Sequence, residues 1–124
     1  MYTLGVDKSF SAIHFLVGGD WGPENRQHAH SYRLELRLEG GDLDRDGFVV
    51  DIARLDVEME RQISRFRNKV LNDLPEFSGL NPSIENFARI FFQGLQHSLH
   101  SERITGLSVK VWEDDKAWVE YRED

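Results

Sequence analysis

The chain has 124 residues, is 40% apolar and 30% charged, and therefore has the composition of one folded domain with a modest core, which we expect to span residues 1–124. It contains no cysteine, which excludes disulfides, thiolate metal ligands and thiol nucleophiles. The net charge of −7 disfavours nucleic-acid binding. The N-terminus does not resemble a secretory signal, and no apolar run approaches the ~20 residues of a membrane span. We therefore expect a cytoplasmic protein without a membrane span.

Two strands are predicted first. One covers roughly residues 2–17, with Asp7 and Lys8 as the place where it could break, and a Gly/Pro loop follows it. The second strand has one buried face, because charged residues alternate with Tyr32, Leu34, Leu36 and Leu38. Extended structure is expected to resume over residues 48–50.

Two helices are predicted next. Asp51 is the expected N-cap of the first, whose apolar face is formed by Ile52, Leu55, Met59, Ile63, Phe66 and Val70. Pro82 lies near the start of the second, whose apolar face is formed by Ile84, Phe87, Ala88, Phe91, Phe92, Leu95 and Leu99. Two strands, near residues 107–112 and 117–121, close the chain.

The order ββ-α-α-ββ predicts an α+β fold in which two helices cover one face of a four-stranded antiparallel sheet. Such a sheet has two edge strands, and small domains commonly pair such edges with neighbouring subunits. We therefore expect a homo-oligomer.

Three histidines form the candidate metal site. His28 and His30 are two apart on a strand, so both point to the face that carries Tyr32 and the leucines. Burying two imidazoles there is costly unless they find partners, and a metal ion would serve both. An H-x-H pair alone is usually incidental. His14 on the neighbouring strand could, however, supply a third nitrogen. A zinc ion with three nitrogen ligands and one open position is typical of a catalytic site.

A second pair, His97 and His100, lies three residues apart on the second predicted helix. This pair has no further ligand nearby in the sequence, and we interpret both residues as solvent-facing.

Six segments in chain order resemble the 6-pyruvoyl-tetrahydropterin synthase family, which includes the 6-carboxy-tetrahydropterin synthases known as QueD. They match the family patterns F-S-A-x-H, H-G-H-N-Y, G-x-V-x-D-F, L-N-D-x-P-x-F, N-P-T-x-E-N and V-x-V-x-E-T. In this chain they are FSAIH at 10–14, HAHSY at 28–32, GFVVDI at 47–52, LND at 71–73 with PEF at 75–77, NPSIEN at 81–86 and VKVWE at 109–113. Together they span nearly the whole chain.

The resemblance implies a T-fold (tunnelling fold), in which subunits join their sheets into a trimeric barrel and two trimers stack as a hexamer. It implies zinc at His14, His28 and His30, and a pterin ring held by Glu113, whose carboxylate suits paired N–H donors. Ser83 and Glu85 match positions that touch the pterin in relatives. Without the resemblance, Glu113 reads as a solvated charge at a strand end and Ser83 as a helix cap.

Two departures from the family concern proton transfer. Relatives use a cysteine before H-G-H as a general base, whereas this chain has Glu24, which a related branch also uses; Glu24 is either the catalytic base or a solvated loop residue. Relatives also carry an Asp-His pair where this chain has Arg67 and Asn68, and neither of these shuttles protons near pH 7.

Two hypotheses follow. In the first, the chain is a zinc-dependent lyase-type enzyme acting on dihydroneopterin triphosphate or a related pterin, with Glu24 moving a proton. In the second, it is a catalytically degenerate relative that binds a pterin- or purine-like ligand, with Arg67 meeting an anionic group across a subunit interface. The intact metal ligands favour the enzyme.

Overall fold

The computed structural model describes residues 1–123. Strands β1 (Tyr2–His14) and β2 (His28–Gly40) precede helices α1 (Ile52–Ser64) and α2 (Ile84–Ser98), and strands β3 (Gly106–Trp112) and β4 (Trp118–Arg122) follow. Short 3₁₀ turns cover Gly22–Asn25, Leu71–Asp73 and Pro75–Phe77. The sheet is antiparallel with strand order β1-β2-β3-β4, which confirms the predicted ββ-α-α-ββ arrangement.

The β1–β2 pair is a single uninterrupted ladder. Its register runs from Tyr2 opposite Gly40 to His14 opposite His28. The break considered at Asp7 and Lys8 does not occur, and β1 ends at His14 rather than near residue 17. This register fixes the relative position of the first two histidines.

One face of the sheet is buried beneath the helices. Along β2 the buried residues alternate with more exposed ones, as the sequence predicts. Helix α1 contributes Leu55, Met59 and Ile63 to the core, whereas Ile52, which the helical spacing assigned to the apolar face, is 57% exposed. An aromatic cluster fills the end of the core nearest the histidines and consists of Phe10, Tyr32, Phe66, Phe77, Phe87 and Phe91.

Helix α1 ends earlier than its apolar spacing suggested. It ends at Ser64, and Asn68 has a left-handed φ of 59°. Asparagine tolerates this conformation better than most residues, and it commonly terminates helices. The Asn68 N–H donates to the Ser11 carbonyl (2.7 Å), and the Ile13 N–H donates to the Lys69 carbonyl (2.9 Å), so the segment after α1 pairs with the outer edge of β1.

The two helices begin at capped positions. The Asp51 carboxylate accepts from the Ala53 N–H (2.9 Å), which confirms the predicted N-cap. The Ser83 hydroxyl accepts from the Asn86 N–H (3.2 Å) and caps α2. The expected extended segment at residues 48–50 is not part of the sheet. Among the residues that the structure describes, no helix is long and apolar enough to cross a membrane.

Candidate metal centre

The sheet register brings the three histidines together at one end of β1 and β2. His14 is the last residue of β1 and lies opposite His28, the first residue of β2. His30 is two residues further and therefore shares the face of His28. The side chain of His14 is 2% exposed, whereas those of His28 and His30 are 25% and 18% exposed. The cluster thus has a buried base and an accessible mouth.

The Nε2 atoms of the three rings face one another. His28 Nε2 lies 3.0 Å from His14 Nε2 and 2.9 Å from His30 Nε2. Zinc–nitrogen bonds of 2.0–2.1 Å place the ligand atoms of a tetrahedral site about 3.3 Å apart. The spacing of these nitrogens is therefore close to that of a bound ligand set.

The opposite ring nitrogens fix the tautomers. His14 Nδ1–H donates to the Pro82 carbonyl (2.9 Å), and His28 Nδ1–H donates to the Arg26 carbonyl (2.6 Å). A neutral imidazole carries one N–H, so both Nε2 atoms then present lone pairs to each other. Burial lowers the pKa of His14, which favours its neutral form. Facing lone pairs repel unless a cation lies between them, so the donor set fits a metal ion.

Glu24 joins the histidines from the loop between β1 and β2. Its Oε2 lies 2.8 Å from His28 Nε2, 3.8 Å from His14 Nε2 and 4.0 Å from His30 Nε2. One ligand atom from each of Glu24 and the three histidines fits within 4.8 Å of the others. Glu24 is therefore part of the cluster rather than a residue solvated away from it.

Glu113 reaches the cluster from the other side. It directly follows β3, and its Oε1 lies 3.0 Å from His30 Nε2 and 3.9 Å from His14 Nε2. Burial raises the pKa of Glu113, and the nearby His30 acts in the opposite direction. Two carboxylates thus flank the three imidazoles.

The floor of the site is aromatic. Tyr32 is 1% exposed, and its Oη lies 3.3 Å from His14 Nδ1. Burial raises the pKa of Tyr32, and the negative charges of Glu113 and Glu24 raise it further. Its hydroxyl therefore stays protonated. Tyr32 thus contacts His14 through a neutral hydroxyl and adds no charge to the site.

The other candidate residues lie outside the cluster. Ser83 caps α2, and Glu85 is exposed in its first turn. Arg67 forms a two-pronged ion pair with Glu60 of α1, with Arg67 Nη2 3.0 Å from Glu60 Oε2. His97 and His100 are exposed, as the sequence predicts.

Three amide side chains that sequence reasoning did not select hold the chain after His14. Asn72 bonds both the N–H (3.1 Å) and the carbonyl (2.9 Å) of Phe15, and Asn81 accepts from the Val17 N–H (3.0 Å). Asn25 donates to the Leu16 carbonyl (3.0 Å). Asn72 and Asn81 lie within family-like segments, and that was the only available signal.

Comparison with known proteins gives the family. A family model described as 6-pyruvoyl tetrahydropterin synthase matches residues 3–124. The chain belongs to this family. A Bacillus subtilis 6-carboxy-5,6,7,8-tetrahydropterin synthase is 27% identical over 98% of the chain and 85% of that relative. A Haemophilus influenzae protein of the same name is 26% identical over 99% of the chain and all of that relative (100%).

Solved structures of pterin synthases share the fold. The Caenorhabditis elegans 6-pyruvoyl tetrahydropterin synthase has a TM-score of 0.85 at 27% identity, covering 99% of the chain and 96% of the neighbour. The Plasmodium vivax enzyme has a TM-score of 0.82 at 17% identity, covering 99% of the chain and 98% of the neighbour. At this low identity, the similarity is evidence for the fold only. The T-fold is confirmed, and the family agrees with the expectation of a pterin synthase-type lyase.

Proposed function

We propose that this chain is a zinc-dependent pterin synthase or lyase acting on dihydroneopterin triphosphate or a related pterin. The observation that carries the proposal is the convergence of three imidazole Nε2 atoms, two of them 3.0 Å apart with their Nδ1 atoms committed to backbone carbonyls. The family supports the lyase class, and the names of the bacterial relatives support a tetrahydropterin product.

His14, His28 and His30 are the proposed zinc ligands. Bound zinc would supply Lewis-acid polarisation of a substrate oxygen. The carbonyls of Pro82 and Arg26 orient two of the rings, as partners of metal-bound histidines commonly do. His14 is buried whereas Glu24 and His28 are partly exposed, so we expect substrate to enter from the side of Glu24 and His28.

Glu24 is the proposed proton carrier. Its carboxylate lies at the cluster and is 42% exposed, so it can contact both a bound substrate and solvent. Glu113 is the proposed acceptor for the N–H donors of the pterin ring, because a carboxylate can take two such donors at once. Ser83 and Glu85 are proposed to contact the ring; Ser83 follows Pro82, whose carbonyl bonds His14.

The contacts of Arg67 bear on the alternative of a catalytically degenerate relative. That hypothesis gives Arg67 an anionic ligand, yet Glu60 already neutralises its charge within the same chain. The pKa of Arg67 is raised chiefly by this hydrogen bond to Glu60. The intrachain pair therefore gives Arg67 a structural partner and weakens the anion-binding role that the alternative assigned to it.

The test is release of triphosphate from dihydroneopterin triphosphate by zinc-loaded protein. We expect turnover, and a loss of about 100-fold or more in Glu24→Gln, since general acid–base groups typically contribute 10²–10⁴-fold. Glu102→Gln, which removes the same charge from an exposed turn beyond α2, is the matched control. Tight pterin binding without turnover would instead establish the degenerate relative.

Self-association as a trimer or hexamer is also proposed. The outer strands of the sheet are β1 and β4, and the segment after α1 covers the edge of β1 only near Ser11 and Ile13 in the described part of the chain. The remaining β1 edge is a candidate for pairing with another subunit. Native mass spectrometry measures the stoichiometry. A cytoplasmic location and the absence of a nucleic-acid partner remain predictions from composition.

A further inference from the structure

We infer that Glu24 is the fourth ligand of the resting metal site and must leave the metal before substrate can occupy that position. This inference rests on the proposed zinc site and gives one side chain two successive roles. The sequence alone suggested an open fourth position. The structure places the Glu24 Oε2 atom beside the three histidines, at 2.8, 3.8 and 4.0 Å from their Nε2 atoms.

Glu24 suits this position better than the other nearby carboxylate. The Oε2 atom of Glu24 contacts all three ring nitrogens within 4.0 Å, and it forms a compact four-atom group with them. Glu113 Oε1 approaches His30 and His14 at 3.0 and 3.9 Å. Glu113 is also the more buried of the two, with its side chain 22% exposed against 42% for Glu24. Glu24 can therefore leave towards solvent, and Glu113 is less able to do so.

The loop holds the backbone of Glu24 in place. The Leu16 N–H donates to the Glu24 carbonyl (2.8 Å), which ties the loop to the chain leaving β1. The side chain of Asn25 accepts from the Trp21 N–H (2.8 Å) and donates to the carbonyls of Leu16 and Gly19 (3.0 Å each). With the backbone fixed by these bonds, the carboxylate can move by side-chain rotation alone.

Gly19 completes this anchoring. A Cβ atom at Gly19 would lie 2.9 Å from the ring of Trp21, so the ring packs directly against the glycine backbone and a larger residue would displace it. Trp21 and Asn25 thus close the loop on both sides of Glu24.

The proposed exchange of Glu24 for substrate at the metal couples substrate entry to release of the Glu24 carboxylate. While Glu24 is a ligand, its oxygen is engaged and a substrate atom cannot take the fourth position. Once rotated away, the Glu24 carboxylate would be free to accept a proton from a substrate held at the three histidines. A metal site with four protein ligands is closed to substrate, whereas a site with three has an open position. Glu24 would switch the metal site between these two forms.

The test measures metal binding rather than catalysis. Zinc affinity is determined by competition with a chromophoric chelator for wild type, Glu24→Gln, Asn25→Ala and Glu102→Gln, and each protein is also loaded with Co²⁺ for its visible spectrum. We expect Glu24→Gln to bind zinc at least ~10–100-fold more weakly, the range that even outer-shell partners reach. We also expect its Co²⁺ spectrum to change. Asn25→Ala should fall between wild type and Glu24→Gln, because it loosens the positioning of Glu24 and leaves the ligand in place.

The outcomes separate the two proposals. Unchanged zinc affinity, or an unchanged Co²⁺ spectrum, in Glu24→Gln would overturn the role of Glu24 as a ligand and leave the three-histidine site standing. A wild-type protein that binds no zinc would overturn the proposed function itself. Glu102→Gln should match wild type in both measurements, since the 15-residue helix α2, about 22 Å long, separates it from the Pro82 end of the site.

Discussion

Removal of zinc should lower the thermal stability of the folded chain. His14 and His28 hold Nε2 lone pairs 3.0 Å apart, and their Nδ1 bonds to Pro82 and Arg26 oppose rotation that would relieve the repulsion. A ligand that binds only the folded state stabilises it by about 2.7 kcal/mol when present at 100 times its dissociation constant. For a domain of about this length, each kcal/mol moves Tm by roughly 3–5 °C. Chelation should therefore lower Tm by about 10 °C.

The measurement is a calorimetric melt with zinc and again after dialysis against a chelator. His28→Ala should melt at the same temperature in both conditions, because it removes the central nitrogen of the cluster. His97→Ala is the matched control, since His97 is an exposed histidine on α2, and it should keep the full zinc-dependent shift.

Two results would contradict this reasoning. If zinc raised Tm in His28→Ala as much as in wild type, the ion would be bound elsewhere. If zinc-containing protein melted at the same temperature after chelation, the three imidazoles would not depend on a cation for their arrangement.

Two further predictions concern the helix face and the sheet edge. A hydrogen bond from Arg67, and a weaker effect of Lys8, lower the pKa of Glu60 to about 2. The Arg67–Glu60 ion pair therefore stabilises the fold above a pH of about 4.3, the pKa of an unfolded glutamate. That stabilisation is lost as the pH falls towards 2. Arg67→Gln should unfold at a higher pH than wild type in an acid titration followed by circular dichroism, and coincident transitions would show that the exposed pair contributes nothing. Ser11 and Ile13 bond outward from β1, and alternate residues bond to the same side, so the Asp7 amide also points outward. Asp7→Pro should remove this amide and lower the mass seen by native mass spectrometry, whereas Asp7→Asn, which keeps the amide, should not. An unchanged mass for folded Asp7→Pro would exclude this edge from the subunit interface.

The sheet could be predicted from the sequence because its periodicity is simple. Alternation along residues 32–38 identified the buried face of β2, and the same parity placed His28 and His30 on it. The end of α1 could not be read in this way, since Phe66 and Val70 continue the helical spacing after the helix has stopped. What ends it is the left-handed backbone of Asn68, whose N–H bonds β1 instead of a helical carbonyl. Long-range pairing of this kind leaves no local pattern.

The site was predictable to the extent that it depends on strands. His14, His28 and His30 follow from strand order and parity. Glu24 does not, because its position depends on a glycine-containing loop fixed by Asn25 side-chain bonds, and either role remained open. The carbonyl of Pro82 that orients His14 carries no sequence signal at all, since every residue has a carbonyl.

The two departures from the family at residues 67 and 68 have a common structural consequence. Asn68 adopts a left-handed conformation and donates its N–H to the Ser11 carbonyl, three residues before His14, while Arg67 ties the same segment to α1 through Glu60. The segment in which the resemblance implies an acid–base pair anchors, in this chain, the end of the strand that presents His14. Because it has no group that titrates near pH 7, we assign proton transfer in the proposed reaction to Glu24, the more exposed of the two carboxylates at the cluster.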